Sequence, residues 1–197
     1  MNRPHRVYLL SPADCGGRRV TALLAGRSVA PMAVRLRDGG APLGDVFAYV
    51  STLYFRGKLA YAGRFAWPPA DSDGVLVITP GAGLVPAHRA VTLADLATIA
   101  AVPVDARDAR FSTPLARDAT VLGRTMAEGG EIVLLGSLAP RKYLDVLLPV
   151  LADRLLVPEA FVGLGEMQRG SLLLRRAAAG RPLAYVRAGA ALAGRSS

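Results

Sequence analysis

Cysteine is almost absent from this chain of 197 residues: Cys15 stands alone. That excludes an internal disulfide framework and any zinc site built on several thiolates. Histidine is scarce as well, and two residues, His5 and His88, do not make a histidine-rich metal centre. No stretch approaches the roughly 20 uninterrupted apolar residues of a membrane-spanning helix. The opening MNRPHRVYLL is charged and its apolar run is too short for a secretory signal. A cytoplasmic protein without membrane contact is the expectation. Lysine is the other scarcity: of 24 basic residues only Lys58 and Lys142 are lysine, and the rest are arginine.

What the chain does hold is apolar and basic. Apolar residues make up 52% and charged residues 20%, which excludes disorder over most of the length. A chain of this size buries about 70% of the surface its unfolded form exposes, enough for a core without staples. One domain over residues 1–188 is expected, with a flexible tail over 189–197. Against 24 basic residues stand 15 acidic ones, a net charge of +9. Such an excess suits a polyanionic partner, nucleic acid first. A composition rich in arginine, glycine and alanine explains arginine in place of lysine, but not the net excess.

Apolar runs at Arg6–Leu10 (RVYLL), Val75–Thr79 (VLVIT) and Glu131–Leu135 (EIVLL) read as buried strands, with shorter ones at Arg154–Val157 and Leu183–Val186 and a possible one at Val102–Val104. Helical spacing marks Arg18–Ala25, Leu43–Phe65, Thr92 onward, Thr113 to about Ala127, Pro140–Leu151 and Met167–Ala179. Ser28–Arg37 is ambiguous. Within the long helical stretch, Asp45 or Ser51 would interrupt or cap, and Gly57 is a weak point. Strands that alternate with helices and are apolar throughout predict a three-layer α/β fold around a central, mainly parallel sheet. In such folds ligands bind beyond the carboxyl ends of the strands. Four loops qualify: Ser11–Gly17, Thr79–Pro86, Gly136–Lys142 and Pro158–Arg169.

Each of these loops carries a candidate. Ser11–Gly17 (SPADCGG) is small and glycine-ended, so its amides suit a phosphate or carbonyl oxygen and Asp14 suits the handling of water. An ordinary strand-to-helix turn explains the same residues. It is neither a P-loop nor a GxGxxG fingerprint, and no cofactor is implied. Cys15 has no histidine near it in sequence and reads as a small packing residue. His88 follows the best strand and would donate to a developing anion, or be solvated. Tyr54, Phe55, Arg56 and Lys58 mix rings with cations as nucleic-acid surfaces do, while their helical spacing suits a core. Ser137, Arg141 and Lys142 form a plausible phosphate clamp, with Gln168 and Arg169 on the same backbone, or as helix capping.

Four segments in order carry a resemblance. They are Tyr8–Gly17 (YLLSPADCGG), Gly74–His88 (GVLVITPGAGLVPAH), Ile132–Lys142 (IVLLGSLAPRK) and Arg154–Val186. Together they resemble the uracil-DNA glycosylase superfamily, IVLLGSLAPRK being the most specific. Gly83–Pro86 (GLVP) is also similar to the glycosylase-like domain of archaeosine transglycosylases. Asp14 is offset by one residue from the family's first-loop signature, Thr79 stands where a base-reading Asn is frequent, and Pro158-Glu159-Ala160 replaces a His-Pro-Ser loop.

The resemblance implies a DNA base-excision glycosylase that hydrolyses the N-glycosidic bond of a deaminated or damaged base, uracil first. It implies Asp14 and His88 as catalytic residues, and Ser11, Pro12, Ala13, Tyr54, Thr79 and Pro80 around the base. Arg18, Ser137, Arg141, Lys142, Gln168 and Arg169 would hold the DNA, with no metal and a single copy of the chain. A non-catalytic nucleic-acid or nucleotide-binding module is the alternative, and an enzyme acting on a small anionic metabolite a third reading.

Overall fold

The computed structural model describes residues 4–51, 53–126, 129–138, 141–161 and 163–193. In chain order the first half comprises β1 (Arg6–Leu10), α1 (Arg18–Leu24), α2 (Pro31–Asp38), β2 (Ala41–Pro42), α3 (Leu43–Val50) and α4 (Leu53–Phe65). The hairpin strands β3 (Val75–Thr79) and β4 (Gly83–Pro86) follow, then β5 (Ala90–Val91) and α5 (Leu93–Ala100). The remainder is α6 (Ala109–Thr125), β6 (Glu131–Leu135), α7 (Leu144–Leu151), β7 (Leu155–Pro158), α8 (Glu166–Ala178), β8 (Tyr185–Arg187) and α9 (Ala188–Ala193).

Why the strands are apolar throughout is visible in β1. Tyr8 and Leu10 point into one core with α4 and α8, while Val7 and Leu9 point into a second core with α6 and α7. A strand covered on both faces has no water-facing side to make polar. The main sheet runs β4-β3-β1-β6-β7-β8. Its four inner strands are parallel, and the edges β4 and β8 are antiparallel to their neighbours. β2 and β5 form a separate antiparallel pair. No helix among the described residues is long and apolar enough to cross a membrane.

Several boundaries differ from the pattern-based expectation, each for a local reason. The helical stretch 43–65 divides into α3 and α4, because Ser51 takes an extended conformation that ends the first helix. Gly57 does not break α4. The loop expected over Thr79–Pro86 is a tight turn followed by β4, with Gly81 and Gly83 at φ near 80° and 76° supplying the left-handed backbone. Asp108 caps α6 by accepting from the Arg110 amide, so that helix starts ahead of Thr113 and carries Pro114 inside it. Val102–Val104 is not a strand. Ala188–Ala193 is helical where a frayed tail was expected; Ala127, Pro140 and residues 194–197 lie outside the described residues.

One packing feature positions the site. α4 and α8 cross with Gly57 against Gly170: a Cβ on Gly57 would stand 2.6 Å from the Gly170 carbonyl oxygen. A Cβ on Gly170 would stand 2.8 Å from the Tyr54 backbone. Such backbone contact needs glycine on both helices. It brings Tyr54 and Lys58 of α4 beside Glu166 and Arg169 of α8.

Candidate functional site

β1 and β6 end flush, Leu10 pairing with Leu135, so the residues that follow them emerge side by side. The Ser11 amide still donates to the Leu135 carbonyl at 3.1 Å, and a Cβ on Gly136 would lie 3.2 Å from that of Ser11. Beyond these strand ends lies a cavity of about 680 Å³. That falls within the ordinary size of small-molecule and cofactor sites. Its walls come from the Ser11–Gly17 loop, from Pro80 after β3, from Ser137, Lys142 and Tyr143 after β6, and from Glu166 at the start of α8. Val50, Ser51, Tyr54 and Lys58 on one side and Ile99, Ala100 and residues 102–104 on the other close it.

The floor is cationic. Lys58 is 2% exposed, and its Nζ donates to the Ser11 carbonyl at 2.6 Å and to Ser11 Oγ at 2.8 Å. The same nitrogen sits 4.5 Å from the Tyr54 ring centroid and 4.8 Å from that of Phe55. Among the described residues no carboxylate lies within ion-pair distance of it. Burial therefore lowers this amine to about 7, with Glu166 pulling weakly the other way. Beside it the Tyr54 hydroxyl is buried without a hydrogen-bond partner, as is Arg169 Nε. Burial pushes the Tyr54 phenol up to about 12; the Arg169 guanidinium attracts it without the alignment of a formed hydrogen bond. Tyr143 is also raised by burial, with Ser11 opposing.

The rim is acidic on one side and basic on the other. Asp14 is exposed, and its Oδ1 accepts from the Gly16 amide at 2.9 Å, which fixes the carboxylate in that turn. Across the cavity Lys142 places its Nζ 5.3 Å from the Tyr143 ring centroid. Cys15 is raised to about 11, first by burial and then by Asp14, which favours the thiol over the reactive thiolate at neutral pH.

Eight of the residues expected at the site line this cavity: Ser11, Pro12, Ala13, Asp14, Tyr54, Pro80, Ser137 and Lys142. The others lie elsewhere. β4 carries the chain back along β3, Pro86 opposite Leu76, so His88 lies towards the far end of the sheet. There its Nδ1 is 3.4 Å from Asp73, with the ring mostly exposed. Thr79 is buried and its hydroxyl donates to the Val77 carbonyl. Arg141 pairs with Asp145 at 2.9 Å on the outside of the helix that follows. Arg18 is exposed on α1, and Gln168 accepts from the Gly165 amide at the start of α8. Arg169 is 7% exposed and donates to the Phe161 carbonyl at 3.0 Å, a structural contact behind the pocket wall.

Sequence reasoning passed over Tyr143 and Glu166, and left Lys58 between a nucleic-acid surface and the core without a place at the site. The signal for Lys58 was present in the composition. Both lysines of an arginine-rich chain line this one cavity. The fold and the cavity define an α/β protein with a cavity at the carboxyl ends of its parallel strands. Comparisons of the chain with protein-family models, curated proteins and solved structures find no match.

Proposed function

We propose that the chain is a DNA base-excision enzyme of the uracil-DNA glycosylase type, hydrolysing the N-glycosidic bond of a deaminated or damaged base. One observation carries this reading: a carboxylate at the rim and a buried proton donor on the floor line the same cavity, which is roomy enough for a flipped nucleotide. Glycosidic cleavage develops positive charge on the sugar and negative charge on the base, so the two groups it needs stand on opposite sides of the breaking bond. Asp14 supplies the first, steadying the sugar cation and orienting water. Lys58 supplies the second, in the role that sequence reasoning gave to His88. Two of its three ammonium hydrogens are held by Ser11. The third goes to the departing base. Tyr54 packs beside the base, Ser137 and Lys142 meet the flanking phosphates, and the net charge of +9 attracts the DNA.

The test is incubation with oligonucleotides bearing uracil, hypoxanthine or xanthine, followed by alkaline cleavage at abasic sites. Strand scission at one modified base supports the reading, and none at any of them overturns it. A second reading, a binding module without chemistry, is favoured by the Asp14–Gly16 turn, since a carboxylate closing a turn needs no other role. Salt-dependent binding of the same oligonucleotides with every base retained is its signature.

A further inference from the structure

The role of Lys58 does not end when the base leaves. An ammonium with two hydrogens fixed on the Ser11 carbonyl and Oγ has one further hydrogen, with the Tyr54 and Phe55 rings 4.5 and 4.8 Å from the nitrogen and the cavity beside it. Once that proton has gone to the departing base, the nitrogen lone pair occupies the same direction. Lys58 itself lines the cavity that the base would enter and leave. Arginine offers no such lone pair, because its guanidinium stays protonated. In a chain where 22 of the other 23 basic residues are arginine, an amine here points to amine chemistry. The nitrogen is buried with hydrogen bonds to Ser11 and two ring contacts, but with no carboxylate partner among the described residues to hold its charge.

We propose that Lys58 is an imine-forming nucleophile whose Nζ condenses with the C1′ aldehyde of an abasic deoxyribose held in this cavity. The inference rests on the base-excision reading, which supplies the aldehyde as its product. The nitrogen lone pair attacks the carbonyl carbon; a C–N bond forms and the C=O π pair moves to oxygen. A proton passes from nitrogen to that oxygen to give the carbinolamine. With one further proton from solvent the hydroxyl leaves as water, and the remaining nitrogen pair closes the C=N bond of an iminium. Amine, aldehyde and proton thus become iminium and water, with no oxidant or reductant required. An amine lowered to about 7 by burial is largely neutral just above neutral pH, as this attack demands.

The experiment uses the full chain and an oligonucleotide carrying a preformed abasic site, with cyanoborohydride added to reduce the iminium to a stable amine. The expected result is a denaturation-resistant protein–DNA adduct whose digest carries the added mass on Lys58. Lys58→Arg keeps a cation and donors for Ser11 and should abolish the adduct. Should that variant fail to fold, the site of attachment in the wild-type digest decides the matter. Attachment at Lys142 or the chain's amino terminus, or no adduct at all, overturns the proposal. Base release from an intact oligonucleotide is measured in parallel. Release without trapping refutes the imine alone. Trapping at Lys58 without release refutes the base-excision reading and leaves the amine chemistry standing.

Discussion

Replacing Lys58 by methionine gives a stability difference that depends on pH in a direction the structure dictates. The folded amine titrates near 7 because it is buried, against 10.5 for an ordinary lysine. Below pH 7 the folded protein holds a buried ammonium, so its whole cost is present. Between about 7 and 10.5 the folded amine is neutral while the unfolded chain still binds the proton, so stability rises with pH. Above 10.5 the cost is gone. The full gap corresponds to about 5 kcal/mol, of which about 2.5 kcal/mol falls between pH 6 and pH 9. Methionine removes this titration, and it also leaves the Ser11 carbonyl and hydroxyl without their donor, a loss of about 1–3 kcal/mol that does not vary with pH. The sign at any single pH is therefore uninformative and the change with pH is decisive. Urea unfolding at pH 6 and pH 9 measures it, with linear extrapolation for both proteins. Wild type should gain about 2.5 kcal/mol on the variant over that interval. An equal difference at both pH values would refute a buried, unpaired amine at this position.

Other consequences follow from the same geometry. Lys142→Ala should weaken binding to oligonucleotides of any sequence and flatten the logarithmic salt dependence by about one, whereas Arg141→Ala, whose guanidinium is engaged by Asp145, should leave both unchanged in a gel-shift titration. Gly170→Ala forces a Cβ to within 2.8 Å of the Tyr54 backbone. It should cost about 1–3 kcal/mol in thermal or urea unfolding, and equal stability would mean that the two helices do not meet backbone to backbone. His88→Ala should leave binding and base release at wild-type levels, since the ring lies with Asp73 away from the cavity.

The alternation of elements was legible from hydropathy alone, because the inner strands are covered on both faces and so are apolar along nearly their whole length. VLVIT, RVYLL and EIVLL needed no partner to be recognised. GLVP was not legible as a strand: its leading glycine and final proline signal a turn, and only pairing with β3 makes it an edge. That one hairpin moved His88 from one end of the sheet to the other. The site was half legible for a related reason. Residues on strand-end loops, such as Ser11, Asp14 and Ser137, are placed by the α/β rule. Lys58 is placed by a contact between Gly57 and Gly170, 113 residues apart, that no local pattern announces.

The most direct test of the account is the single-turnover rate of base release by Asp14→Asn against wild type, on an oligonucleotide bearing the base that wild type excises. Asparagine keeps the oxygen that accepts from the Gly16 amide and removes only the charge, so folding and DNA binding should persist. The account predicts base release slowed about 100-fold or more. Release at the wild-type rate in a variant that binds DNA normally would contradict it.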